Sequence, residues 1–507
     1  MSEGNGGTGR GPKGPSGGKR GPGKPGGGFH KPKGSFGDGP RKEGPGGFKG
    51  GPRGGAPFGA RMATPGGGRP KRVQGMEARV VAADLIAGVM KGKLLDQLLD
   101  EGPSAAKYQA LDPRDRGLAR AIVGFTLRRN GQIEEAISRF LTRPLPDDAG
   151  SLKAIMAISA AQILFMDVAD HAAVALGVEL AALDRGAAAF KGLANAVLRR
   201  IADNKQAILA EQDPVTLNTP AWLMERWTAA YGAETARAIA EANAIEPTLD
   251  LTVKSDAEGW AARLGGIVLP TGTVRIAVTG AVEKLDGYEE GQWWVQDAAA
   301  ALPVYLFGDL KGKKVADLCA APGGKTALLA ELGAEVTSLD ISYHRLQRLE
   351  RNLYRLGLKA NIVKADATEW LGGTFDMVLL DAPCTATGTL RRHPDGMLGK
   401  KPADVAGLAA VQRKLIDQAI RMLRPGGLLV YSTCSLEPEE GPDQIRRLML
   451  IDAPLDVVPV TAEDVFGLEE VITSEGYVRT LPCHLKNADP RLSGLDGFFA
   501  ARLRKRV

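Results

Sequence analysis

The sequence predicts a multi-domain protein: a disordered basic tail, an all-α bundle, and an α/β domain built on a parallel sheet covered on both faces. Three observations carry that reading. Residues 1–75 hold 28 of the chain's 65 glycines and few large apolar side chains. Across 77–212 apolar residues recur at helical spacing. From Gly312 onward short apolar runs alternate with helix-length segments.

The tail carries fifteen Lys/Arg against three Asp/Glu, a net of +12 in a chain of formal charge +6, so the rest sums to −6. A run such as GGKRGPGKPGGGFHKPKG cannot bury enough surface to offset chain entropy, and disorder is expected over 1–75. Its Phe29, Phe36, Phe48 and Phe58 suit loose contact with RNA through phosphates and stacking, and a solubilising tail fits equally well. Cys319, Cys384, Cys434 and Cys483 are too dispersed for a disulfide framework, which favours a reducing cytosol. The N-terminus lacks an apolar leader stretch. The most apolar segment, 154–166, includes Ser159 and Gln162 and is too short to span a bilayer. It reads as a buried core helix of a cytoplasmic protein with no membrane partner.

Within 77–212, ARVVAADLIAGVM, SLKAIMAISAAQILFM and FKGLANAVLRRI are expected helices of one bundle. Asp112-Pro113 marks a helix start, with Asp as N-cap and Pro at the first helical position. Acidic and basic side chains nearly balance here, so an RNA-binding face would rest on local clusters such as Arg114, Arg116, Arg128 and Arg129, or Arg199 and Arg200. On charge alone, solvated helix faces explain them better. Residues 216–300 form a bridging α+β region, with TPAWLMERWTAAYG helical, LDLTVK, RIAVTG and QWWVQD as strands, and a helix around Ala257–Leu264. Over 301–507 the strands KKVADL, AEVTSL, ANIVKA, DMVLLD and GLLVYS define the catalytic candidate.

The first of these strands runs into a small-residue turn, CAAPGGKT, and then a helix, so backbone N–H groups can approach a ligand closely. A P-loop would require glycine at position 319, where Cys319 stands, and no G-x-G-x-x-G dinucleotide fingerprint is present. An S-adenosylmethionine (SAM) site asks only for the tight turn and for acids toward ribose and adenine. Asp340, Asp366 and Asp381 follow the second, third and fourth strands, at the rim where open α/β sheets bind ligands. A single acid there is commonly a helix cap; three in register with the turn point to a nucleoside cofactor.

Cys384 follows the fourth strand and Cys434 the fifth, so neighbouring strands would bring both thiols to one pocket beside the cofactor. About fifty residues separate them with no His cluster, so no metal site is expected. An inert buried thiol is the common fate of a lone cysteine, but two beside Asp381 fit covalent chemistry better. Carbon 5 of a pyrimidine is a poor nucleophile until a thiolate adds at carbon 6 and N3 is protonated; it then attacks an electrophilic methyl group. The residues alone leave open which cysteine attacks.

The segments QDAAAALPVYL, DLCAAPGGKT, LDISYHRLQRLERNLYRLGL, DAPCTATGTLRRHPD, LRPGGLLVYSTCSLEPEE and DGFFAARL resemble the successive motifs of the Nol/Nop/Sun family of RNA cytosine-5 methyltransferases, in particular its Sun-type (RsmB-like) ribosomal RNA branch. LDPRDRGLARAIVGFTLRRNGQIEEAI and KGLANAVLRRI resemble the NusB-type RNA-binding domain. The resemblance implies a Rossmann-like class I SAM-dependent methyltransferase domain after a NusB-like bundle. It implies Cys434 as the nucleophile, Cys384 as an aid to product release, and Asp381 within reach of N3 of the base. It also implies SAM contacts from Cys319, Ala320, Ala321, Pro322, Gly323, Gly324, Lys325, Asp340, Asp366 and Asp381, with Arg345 as a further cofactor-side contact. Gly441 departs from the family's usual Asn after EPEE. Glu437, Glu439 and Glu440 are expected to be helix N-terminal charges without acid–base work.

The implied substrate is an unpaired or flipped-out cytidine of small-subunit (16S) ribosomal RNA, modified by a monomeric enzyme. The same chemistry on tRNA, and an inactive RNA-binding assembly or antitermination factor, are the alternatives; intact cysteines and rim aspartates speak against the latter. Arg391, Arg392 and His393 are expected to grip phosphates beside the target base, whereas Arg348, Arg351 and Arg355, on one helix face, read equally as solvated.

Overall fold

The computed structural model describes residues 74–277 and 281–507, all within one compact unit, Arg69–Val507. The tail expected over 1–75 lies, apart from its last two residues, outside the described residues.

The N-terminal part is helical throughout. Its central helix, Leu152–Phe165, has 12 of its 14 residues buried, so it has no solvent face to betray by charge. Around it pack Met76–Met90, Pro113–Arg128, Asn130–Ser138, Asp170–Leu183 and Lys191–Asp203. The polar residues inside that helix bond their own backbone, and Gln162 also reaches the first helix of the bundle. Ser159 Oγ donates to the Ile155 carbonyl (2.7 Å), Gln162 Nε2 to the Ile158 carbonyl (2.9 Å), and Gln162 Oε1 accepts from Arg79 Nε (2.8 Å). Asp112 caps Pro113–Arg128, accepting from the Asp115 N–H at 2.9 Å.

The helices Ala221–Tyr231 and Ala233–Asn243 lead into a four-stranded antiparallel sheet of order β2-β3-β1-β4, with β1 Leu249–Val253, β2 Ile267–Val268, β3 Val274–Ile276 and β4 Trp293–Val295. The expected strand RIAVTG is shorter than its apolar run, and its last three residues lie outside the described residues. Strand β2, only two residues long, left no alternation to read in the sequence. Arg275 and Asp250 form a fully buried bidentate ion pair across this sheet, at 2.7 and 2.8 Å.

The larger sheet has the order β10-β12-β9-β8-β5-β6-β7, with β11 paired to β12. Its parallel part comprises β5 (Lys314–Leu318), β6 (Glu335–Asp340), β7 (Asn361–Lys364), β8 (Phe375–Asp381) and β9 (Leu423–Thr433). These are the five strands expected from the apolar runs. The remaining strands, β10 (Leu455–Val457), β11 (Val478–Arg479) and β12 (Phe499–Lys505), make the sheet mixed, because β12 lies antiparallel beside β9. No helix among the described residues is long and apolar enough to cross a membrane.

Candidate active site

The carboxyl ends of β5, β6, β8 and β9 build the site. After β5 the chain passes through Cys319 at φ 61° and Gly323 at φ 103° before the helix Gly324–Glu331 begins. Gly323 is needed twice over: its φ is positive, and a Cβ there would lie 2.7 Å from Leu349 Cγ. The turn is fastened to β6, since Ala320 N–H donates to the Leu339 carbonyl (2.8 Å) and Ala321 N–H to Asp340 Oδ2 (3.2 Å). Asp340, almost fully buried, also accepts from the Ser342 N–H and pairs with Arg345 at 3.3 Å, while Arg345 donates to the Ala321 carbonyl. Burial, reinforced by Asp340 and Asp381, pushes the Cys319 thiol up to about 12. Cys319 shapes the turn through its positive-φ backbone.

A cleft of about 310 Å³ opens beside this turn. Ala320, Ala321, Pro322, Gly324, Lys325, Asp317 and Asp381 form one wall, and Gln296, Asp297, Arg392, His393 and Asp496 are on the other. Lys325 Nζ donates to Asp381 Oδ2 at 2.8 Å and lies over the Phe498 ring; Ser432 Oγ donates to Asp381 Oδ1 at 3.0 Å. Asp317 accepts from Thr326 Oγ1 at 2.6 Å through one oxygen, while its other oxygen has no partner among the described residues. Burial pushes this carboxyl up to about 7. Asp340, Arg345 and Asp366 do not line the cleft. Asp366 is exposed beyond β7, where Thr368 hydrogen bonds hold it below the usual carboxylate range.

These features fit SAM: a small-residue turn with positive φ at Gly323, a buried acceptor in the cleft wall without a partner, and carboxylates at the ends of successive strands. Ala320, Ala321, Gly324 and Lys325, which line the cleft, would hold its methionine end; Asp340 and Asp366, expected at its ribose and adenine, lie outside the cleft.

Strands β8 and β9 are parallel neighbours in which Asp381 is paired with Ser432. Their continuations bring Cys384 Sγ to 3.5 Å from Cys434 Sγ. Neither sulfur lines the cleft; Asp381, three residues before Cys384, connects the thiol pair to it. The hydrogen bond to Cys434, burial, and the charges of Cys434 and Glu440 push the Cys384 thiol well above its ordinary range.

Two expectations are corrected here. Arg391 and Arg392 are not poised for phosphates. Arg391 is 3% exposed and bonds Asp496 (2.8 Å) and Asp297 (3.2 Å); Arg392 bonds Asp297 (2.6 Å), Asp496 (3.0 Å) and the Thr248 carbonyl. Although burial acts against it, this pair of guanidiniums, Arg392 foremost, holds Asp297 well below the carboxylate range. The acids arrive from segments about a hundred residues away on either side, which composition near position 391 cannot reveal. Only His393 of that trio stays exposed, at the cleft mouth and 3.5 Å from Asp96 of the helical bundle. The bundle also touches this loop through Arg128, which donates to the Arg391 carbonyl at 2.9 Å.

The second correction concerns the carboxylates after Cys434. Glu437 and Glu440 stand near the start of the helix Pro442–Leu450 as expected, but both are fully buried and bonded to other segments instead of serving as its N-terminal charges. Glu437 pairs with Arg226, which also binds the half-exposed Glu439. Glu440 points back beneath the cysteine loops. The hydroxyls beside the cysteines, Thr385 and Ser435, were the sequence signal for a buried acceptor. At Gly441, a side chain would meet Arg479 Nη2 at 2.8 Å; that arginine donates to the Ser435 carbonyl and stacks on Phe499. Arg355, read as one of a solvated row, instead donates to the Tyr288 and Trp293 carbonyls.

Residues 306–504 match the family described as 16S rRNA methyltransferase RsmB/F, and residues 76–203 match the NusB family. The ribosomal RNA small subunit methyltransferase B of Salmonella paratyphi B is 34% identical over 384 residues, covering 71% of this chain and 89% of that protein. Its namesake in Klebsiella pneumoniae is 35% identical, covering 71% and 88%. A solved structure described as PH0851 superposes over 85% of this chain and 99% of its own with a TM-score of 0.65 at 22% identity, a likeness of fold. With a NusB-family bundle ahead of its methyltransferase domain, the chain belongs to the RsmB/F family of 16S rRNA methyltransferases.

Proposed function

We propose that this protein methylates carbon 5 of an unpaired cytidine in 16S ribosomal RNA through a covalent bond between Cys434 and carbon 6. The observation that carries the reading is the pair of thiols 3.5 Å apart, joined to the cleft through Asp381 and its partner Lys325. The Cys434 thiolate adds to carbon 6 as Asp381, sharing a proton with Lys325, supplies N3 with a proton. SAM, when bound, offers the methyl group that the resulting enamine-like carbon 5 takes up. Loss of the carbon-5 proton to water and return of the N3 proton to Asp381 then expel the Cys434 sulfur as a thiolate, and the thiol proton that Cys384 retains stabilises it as it leaves. Such a site needs a base free of its stack, so the target is a single-stranded or flipped nucleotide.

The reading is supported by family membership and by the chemistry of the two thiols. Its test is nucleoside analysis of unmethylated 16S ribosomal RNA after incubation with protein and methyl-labelled SAM. Label in 5-methylcytidine is expected. Label in a ribose-methylated or exocyclic-amine-methylated nucleoside would overturn the proposal, because neither product needs a thiol adduct.

A further inference from the structure

Glu440 is a buried carboxylate with no cation bonded to it among the described residues, an arrangement that costs stability unless hydrogen bonds replace the lost water. The replacements come from the cysteine loops. One Glu440 oxygen accepts from the Thr385 N–H (3.0 Å) and Gln412 Nε2 (3.1 Å), the other from Ser435 Oγ (2.6 Å) and the Thr385 hydroxyl. Thr385 follows Cys384, and Ser435 follows Cys434. The residues before each cysteine join the same knot. Thr433 Oγ1 donates to the Glu440 carbonyl (3.1 Å), and Gln412 Nε2 also reaches the Pro383 carbonyl (2.9 Å). Tyr431 Oη, from β9, donates to that Glu440 carbonyl at 2.7 Å. Both neighbours of both cysteines are thus held by Glu440 or by its partner Gln412.

We propose that Glu440 is the positioning residue of the thiol pair, clamping two loops fifty residues apart so that Cys384 and Cys434 stay within contact of one another. The proposal rests on the reading of Cys434 and Cys384 as the reacting pair. It explains why a carboxylate held by hydrogen bonds alone sits at this depth: a water-filled or apolar substitute would let the loops drift, and a small displacement of a nucleophile is costly to rate. Burial pushes Glu440 above the ordinary glutamate range, while Ser435 and Thr385 donate to its charged form.

The test compares wild type, Glu440→Ala and Glu440→Gln in the full chain. Diamide oxidises two close thiols to a disulfide, itself taking up the two electrons and two protons, so the rate of Cys384–Cys434 cross-linking, mapped by mass spectrometry, reports their spacing without RNA. SAM affinity by calorimetry and the kcat and KM of rRNA methylation complete the set. In Glu440→Ala, cross-linking and kcat are expected to fall together, kcat by roughly 100-fold, with SAM affinity and KM unchanged. Glu440→Gln keeps an acceptor for the Thr385 and Gln412 N–H groups and is expected to recover most of both losses. Wild-type cross-linking in Glu440→Ala overturns the clamp, as does loss of SAM binding in step with kcat, which signals general unfolding. If cross-linking behaves as expected while no variant, wild type included, labels cytosine carbon 5, the clamp stands and the proposed reaction falls.

Discussion

The helical bundle and the methyltransferase domain solve the same problem, a buried polar group, with different mixtures of near and distant partners. In the bundle, among the described residues, the one long reach from the central helix is that of Gln162 to Arg79, 83 residues away. In the bundle, Ser159 and Gln162 bond carbonyls four residues earlier in their own helix. In the catalytic domain, Arg391 reaches Asp297 and Asp496, 94 and 105 residues away, and Glu440 reaches Thr385, 55 residues back. Local satisfaction makes a stable scaffold from short-range pattern. Long-range satisfaction ties several segments to one point, which is what a site assembled from strand ends requires.

That contrast can be tested by cutting each kind of network. Asp297→Ala leaves Arg391 and Arg392 buried with one acid fewer, and should lower unfolding free energy by about 3–5 kcal/mol in urea titration; a loss under about 1 kcal/mol would mean the network is no more than a surface pair. Asp317 comes next. Its carboxyl, raised from 3.8 to about 7, binds its proton more tightly folded than unfolded. Its contribution is therefore full at low pH and is lost as pH climbs from 3.8 to about 7, by up to about 4 kcal/mol. Asp317→Asn should flatten that part of the stability–pH curve; an unchanged slope would remove Asp317 from the account. The smallest effect belongs to the bundle. Gln162→Ala strips Arg79 Nε of its acceptor but leaves its bond to the Gly75 carbonyl, and should cost about 1–3 kcal/mol in thermal unfolding.

The same contrast decides what the sequence could disclose. The central helix of the bundle was legible because its apolar run is contiguous, and the helix Pro113–Arg128 because its Asp112 cap adjoins it. The SAM turn and the aspartates at the ends of β6 and β8 were legible because a parallel sheet repeats one local unit, strand then helix, and gathers all carboxyl ends at one rim. The meeting of Cys384 and Cys434 followed from the adjacency of β8 and β9, and the structure pairs those strands. Arg391 and Arg392 were misread because the acids that bury them come from other segments. Glu440 was misread because a carboxylate in EPEE looks like any helix-start charge until the turn Pro438–Glu440 folds it under the sheet. Strand β12 was missed as a strand because it joins by an antiparallel pairing that the βα alternation does not announce.

The central claim is that Cys434 attacks carbon 6 and Cys384 releases the product. Its most direct measurement is a denaturing gel of wild type, Cys384→Ala and Cys434→Ala after incubation with SAM and unmethylated 16S ribosomal RNA. An RNase-sensitive, slowly migrating band is expected in Cys384→Ala alone, because the adduct forms there and is not resolved. The band in Cys434→Ala alone would reverse the two roles, and its absence from every lane would contradict covalent catalysis.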